Sequence, residues 1–263
     1  MYIDSHAHLN FNSFDGDWQA TAERAFDADV LGIINIGSQR GVSIKAVEMA
    51  EAFENEKLSN GKLYATVGQH PIHALEELFD AEEYLQLAQK KSVVAIGETG
   101  IDMYYDPSTL DDQKKLFISH IELARATGKP LIIHNRMAGN ELLNMVKEYK
   151  VRHGVVHFFS ENWDMAEQFM DLGLYLSFTG AITLDTINDF TLEVIKKMPL
   201  DRMMIETDSP YVVPKAQKDD SIKRNEPAYV VEVAKKIAEI RDIDIEKVAK
   251  ATTHNAIKLF DLR

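Results

Sequence analysis

Residues 93–134 hold one complete structural repeat: Val93-Val94-Ala95-Ile96-Gly97 runs into Glu98-Thr99-Gly100, an amphipathic stretch covers 111–126, and a second apolar run follows as Pro130-Leu131-Ile132-Ile133-His134. Neither run alternates apolar with polar residues. Continuous apolar character is what a parallel strand covered on both faces requires. The amphipathic stretch between them has the length and spacing of a crossover helix.

The same unit recurs along the chain. Further apolar runs lie at 2–5, 30–36, 63–67, 154–157, 174–178 and 203–207, which makes eight with the two above. Helix-like patterns fall at 17–28, 42–54, 81–90, 140–149, 165–172, 187–197, 228–240 and 245–260. Strict alternation of β and α means a parallel sheet, either doubly wound or closed. Eight units favour closure. The expectation is a single-domain α/β protein, a (β/α)8 TIM barrel spanning residues 1–263, and 263 residues suit one barrel. The longest irregular piece, 208–225, is expected to loop over one end.

Composition bounds the chemistry. There is no cysteine, so disulfides and thiolate metal sites are excluded, and any metal must be held by His, Asp or Glu. The formal charge of −13 argues against a protein that coats nucleic acid. The N-terminus carries no basic region followed by an apolar stretch, and no run approaches the ~20 apolar residues of a membrane span. A soluble, cytoplasmic protein with no membrane contact and no obligate protein partner is expected.

Polar residues cluster where the apolar runs stop. The first run ends in His6-Ala7-His8; side chains two apart on a strand share a face, so both imidazoles, with Asp4, can point into a barrel. The third leads into Gly68-Gln69-His70-Pro71, the fourth into Glu98, the fifth into His134-Asn135-Arg136, the sixth into His157 and the eighth into Glu206-Thr207-Asp208. A lone histidine at a strand end is more often a hydrogen-bonded structural residue, and Asp208 before Ser-Pro could be a turn residue. The combination decides otherwise. His6, His8, His134 and His157 with Glu98 and Asp208 place four imidazoles and two carboxylates at the end of the barrel where active sites lie. Such donors suit Zn²⁺, Mn²⁺ or a related divalent ion. His120, His153 and His254 are expected to be structural or exposed, and His73 is undecided.

These motifs resemble the TatD family of metal-dependent deoxyribonucleases, itself similar to the wider amidohydrolase barrels. The likeness runs through Ile3-Asp4-Ser5-His6-Ala7-His8-Leu9, Gly68-x-His70-Pro71 and Ala95–Asp102, then Ile133-His134-Asn135-Arg136 and Gly154–Ser160. It ends with Glu206-Thr207-Asp208-Ser209-Pro210-Tyr211, Arg224-Asn225-Glu226-Pro227 and Thr252–Ala256. The resemblance implies two divalent cations per chain (Zn²⁺, Mg²⁺ or Mn²⁺): one on His6, His8 and Asp208, a second on His134 and His157, with Glu98 bridging. Departures from the pattern include Phe158, Glu161, Met137 and the pair Ser221-Ile222, the last removing a positive charge from the loop expected to face substrate.

The implied reaction is hydrolysis of a phosphodiester by a metal-activated water, trimming single-stranded DNA or RNA from its 3′ end. Asp208 is expected to take the proton, and His70 and Arg136 to hold phosphate oxygens. Lys223 and Arg224 are further substrate contacts. Glu206 is either part of the catalytic group or a support that orients a ligand. Tyr104 and Tyr105 could stack on a base or pack in the core. The rival function is an amidohydrolase, lactonase or aminoacyl-ester deacylase acting on a small molecule or aminoacyl-tRNA, which the acidic balance suits. A non-catalytic barrel is the remaining alternative.

Overall fold

The structure is a computed structural model that describes residues 1–56, 61–218 and 224–262. Eight parallel strands form one sheet in sequential order: β1 (Tyr2–Ala7), β2 (Val30–Asn35), β3 (Lys62–Val67), β4 (Val93–Asp102), β5 (Leu131–Arg136), β6 (Gly154–Val156), β7 (Tyr175–Phe178) and β8 (Met203–Ile205). The seam between β8 and β1 is drawn together just beyond β8, where Ala7 bridges Ser209 in parallel. There the Asp208 N–H donates to His6 O at 2.8 Å and the His8 N–H to Ser209 O at 2.8 Å. The expected (β/α)8 barrel is what forms.

The helices wrap the outside: α1 (Trp18–Asp27), α2 (Arg40–Glu56), α3 (Ala81–Ala88), α4 (Leu110–Thr127), α5 (Gly139–Glu148), α6 (Trp163–Asp171), α7 (Asp189–Lys197), α8 (Val230–Arg241) and α9 (Ile245–Phe260). Side-chain caps set several starts. Asn162 accepts the Met165 N–H and Asn188 the Thr191 N–H, so α6 begins two residues before its apolar pattern does. Asp80 and Asp244 cap α3 and α9 in the same way. No helix among the described residues is long and apolar enough to cross a membrane.

The strands are buried almost throughout, as their unbroken apolar runs anticipate. Three boundaries differ in a way that shapes the site. β4 does not stop near Gly97: after a register shift it pairs Thr99, Gly100, Ile101 and Asp102 with Ile133, His134, Asn135 and Arg136 of β5. Gly100 makes that pairing possible. Its φ is +142°, and a Cβ there would stand 2.1 Å from His134 O, so no larger residue fits beside the strand that carries His134. Conversely, β6 and β8 end at Val156 and Ile205, and His157 and Asp208 stand on the turns that follow.

Candidate metal centre and active site

The structure brings His6, His8, Glu98, His134, His157 and Asp208 together at the C-terminal end of the strands. Glu98 is the hub. Its Oε2 lies 3.5 Å from His6 Nε2 and 3.8 Å from His8 Nε2. Its Oε1 lies 2.7 Å from His157 Nε2, 2.9 Å from His134 Nδ1 and 3.4 Å from His70 Nε2. One carboxylate therefore faces two imidazole groups, one with each oxygen.

These spacings fit divalent cations. Two nitrogens held ~2.0–2.1 Å from one ion at a tetrahedral angle are about 3.3 Å apart. His6 Nε2 and His8 Nε2 are 3.2 Å apart, and Asp208 Oδ1 lies 3.6 and 3.4 Å from them. His134 Nδ1 and His157 Nε2 are likewise 3.2 Å apart. His6, His8 and Asp208 form one cluster compact enough to hold an ion, as do His6, Glu98 and His157. A third such cluster, His70, Asp102 and His134, shares His134 with the centre.

The strand ends supply the rigidity. His6 and His8 share a face of β1, and the His6 and His157 rings stack with centroids 4.0 Å apart. Asp208 adopts φ +55°, a conformation uncommon outside glycine. Asn225 holds that turn: its Nδ2 donates to the carbonyls of Thr207 (2.9 Å) and Tyr211 (2.7 Å). Asp4 lies beneath, accepting the Thr207 N–H at 2.9 Å and the Thr207 hydroxyl at 2.6 Å, and burial pushes its carboxyl up to about 8.

Electrostatics follow from the crowding. Burial would raise the Glu98 carboxyl, but His157, His70, His6 and the contact with His134 outweigh it and hold it well below the usual carboxylate range. Burial likewise works against Asp208, yet His8 and His6 keep its carboxyl low. Burial lowers His6, and lowers His70 to about 4, so these rings are neutral at pH 7. His157 and His134 are raised despite burial by the carboxylates around them.

The remaining expected residues divide. Glu206 is buried behind His157 rather than open to substrate. It accepts the Phe158 N–H at 2.7 Å and the Ser177 hydroxyl at 2.6 Å, and lies 3.4 Å from His157 Nδ1. His70 faces the centre, its Nδ1 accepting the Ile72 N–H at 3.2 Å while Nε2 points at Glu98. Arg136 stands at the mouth with its guanidinium 3.9 Å from the Tyr104 ring centre and no carboxylate partner among the described residues.

Arg224, expected at substrate, is engaged within the fold instead: it donates to Asp17 at 2.9 and 2.7 Å, to Glu226 at 2.9 Å and to Ser13 O at 2.7 Å. A guanidinium so enclosed clamps the loop to α1 and presents no open donor pair to a phosphate. Lys223 and the pair Ser221-Ile222 lie outside the described residues.

One residue escaped the sequence reading. Asp102 lies inside the Ala95–Asp102 motif with no signal of its own, yet its Oδ2 lies 3.0 Å from His134 Nε2 while its Oδ1 accepts the N–H groups of Tyr104 (2.8 Å) and Tyr105 (3.2 Å). Its position four residues after Glu98 would have flagged it, had β4 been read as continuing. His120 is buried, and its Nε2 accepts the Gln69 N–H at 2.9 Å, holding the turn that carries His70. His73 pairs with Glu76 at 2.7 Å and His254 is exposed.

Comparison with known proteins agrees with this geometry. The sequence profile described as TatD related DNase matches residues 3–261. An uncharacterized metal-dependent hydrolase of Bacillus subtilis, YabD, is 36% identical over 263 residues, covering 99% of each chain. A Pantoea ananatis protein named 3'-5' ssDNA/RNA exonuclease TatD is 30% identical over 264 residues, with 99% of each covered. Among solved structures, the TatD homolog YjjV of Escherichia coli superimposes with a TM-score of 0.89 at 30% identity, over 100% of this chain and 98% of that one.

Proposed function

Because the chain belongs to the TatD-related DNase family and is a metal-dependent hydrolase, we propose that it hydrolyses phosphodiester bonds, removing nucleotides from the 3′ end of single-stranded DNA or RNA. The observation that carries this reading is Glu98 set between two pairs of imidazoles, each pair 3.2 Å apart. His6, His8 and Asp208 would hold one divalent cation, His134 and His157 a second, and Glu98 would bridge them. Bound there, the cations supply positive charge to the phosphoryl oxygens and ease deprotonation of the attacking water.

The chain's own residues do the rest. Asp208, kept ionised by His8 and His6, accepts the proton of the attacking water at its carboxylate. The low affinity of the His70 ring for a proton leaves its Nε2–H to donate to a phosphate oxygen, since Nδ1 already accepts from Ile72. Arg136 offers its paired N–H groups to the phosphate from the rim. Glu206 acts through His157 by fixing the ring's orientation.

The depth of the centre argues for ends. Its ligands are mostly buried at the strand ends, and a duplex cannot bring its scissile phosphate down to them, whereas a single-stranded terminus can enter. The acidic balance agrees, because only a few phosphates then need a basic partner. The test is a linear single strand against a covalently closed circle of the same composition, with Mg²⁺ or Mn²⁺ supplied. Loss of the linear strand alone is expected. Equal cutting of the circle overturns end-trimming, and no cutting of either returns a small-molecule ester or lactone to first place.

A further inference from the structure

Three large aromatic side chains stand in solvent around the centre. Tyr104 and Tyr105, on the turn after β4, are 55% and 63% exposed, and Tyr211, after β8, is 53% exposed. That exposure removes core packing as the reason for the tyrosine pair. Exposed rings gathered at a polar, deeply set site are an arrangement that calls for a ligand with a matching face.

The rings are fixed relative to the chemistry. One carboxylate, Asp102, holds the Tyr104-Tyr105 turn through two N–H groups and contacts His134 through its other oxygen. Tyr105 stands edge-on to Tyr104, with centroids 5.2 Å apart and planes at 86°. Arg136 lies over Tyr104 at 3.9 Å, so a guanidinium takes one side of that ring. On the other side of the mouth, Tyr211 follows Asp208 and meets the His8 and Phe11 rings edge-on at 6.4 Å each. The two turns face each other because β4 and β8 stand four strands apart around the eight-stranded barrel.

We propose that Tyr105 and Tyr211 form the two walls of a subsite that stacks the nucleobase next to the scissile phosphodiester, while Arg136, braced on Tyr104, receives the phosphate. This rests on the nuclease reading. A nucleobase is the ligand class that uses every part of the arrangement. Its flat π face suits tyrosine whatever the base, which gives affinity without sequence preference. Its phosphate suits an arginine that has no carboxylate partner among the described residues. A lactone or an aliphatic amide would use neither wall.

The experiment measures selectivity rather than bulk activity. Metal-loaded protein is given a short single strand with either a normal 3′-terminal nucleotide or an abasic tetrahydrofuran residue in its place, and kcat/KM is compared. The intact chain is expected to favour the base by about 5- to 150-fold per stacking ring. Tyr105→Ala and Tyr211→Ala should each pull the ratio towards one through KM, and Tyr105→Phe and Tyr211→Phe should restore it. Cleavage with no discrimination between the two strands overturns the stacking subsite and leaves the nuclease reading in place. If neither strand is cleaved, binding of deoxyadenosine monophosphate is compared with that of deoxyribose 5-phosphate by calorimetry. A ring-dependent preference for the nucleotide then upholds the subsite while the nuclease reading falls. No preference overturns the subsite as well.

Discussion

His120→Leu tests how the turn carrying His70 is held. His120 is fully buried; its Nδ1–H donates to Leu116 O at 2.8 Å and its Nε2 accepts the Gln69 N–H at 2.9 Å. Both nitrogens are used only by the neutral ring, and burial lowers its pKa to about 4 from an ordinary 6.5. Between those values the unfolded chain binds a proton that the folded chain refuses. The neutral ring therefore costs nothing above pH 6.5, and stability falls as pH drops through 6.5 towards 4. At 1.36 kcal/mol per pH unit the full loss is about 3 kcal/mol, of which about 2.5 kcal/mol is expressed by pH 4.5. Leucine removes that titration but leaves the buried Gln69 N–H without an acceptor, at a cost of about 1–3 kcal/mol near neutrality. Urea unfolding of both proteins from pH 7.5 to 4.5 is the assay, read as the difference between them so that shared titrations cancel. The variant should be weaker at pH 7.5 and should close the gap, or pass the parent, by pH 4.5. A difference that stays constant across the range refutes the argument.

Asp102→Asn should lower affinity for Mn²⁺ by about 10–100-fold in calorimetric titration, because an amide N–H₂ facing His134 Nε2 would move the proton to the ring nitrogen that points at Glu98. An unchanged titration would mean that Asp102 serves only the Tyr104-Tyr105 turn. Asp208→Asn keeps the shape of the side chain but loses its charge, and turnover should fall by at least ~10²–10⁴-fold with unfolding behaviour intact. Near-normal kcat in the folded, metal-replete protein would remove Asp208 from the proton-accepting role.

The sequence made the barrel legible because most strands are buried on both faces and so announce themselves as nearly unbroken apolar runs. It made most of the centre legible for the opposite reason: His6, His8, Glu98, His134 and His157 are polar residues set where such runs end, and an apolar neighbourhood exposes them. Asp102 had neither signal. It belongs to a strand that outlasts its own apolar run, because Gly100 lets β4 press against β5 and continue pairing as far as Arg136. No local pattern announces that continuation, since the partner strand sustains it. Arg224 shows the converse case. A basic residue on a long polar loop reads as a phosphate contact, but its partner Asp17 meets it only when the start of α1 packs beside the returning loop, where Glu226 joins them. What the sequence conceals in both cases is a pairing between distant segments. The centre depends on such pairings twice over: Asp102 orients His134 through its own strand's extension, and the Arg224-Asn225-Glu226 segment, clamped to α1, lets Asn225 hold the strained turn that presents Asp208.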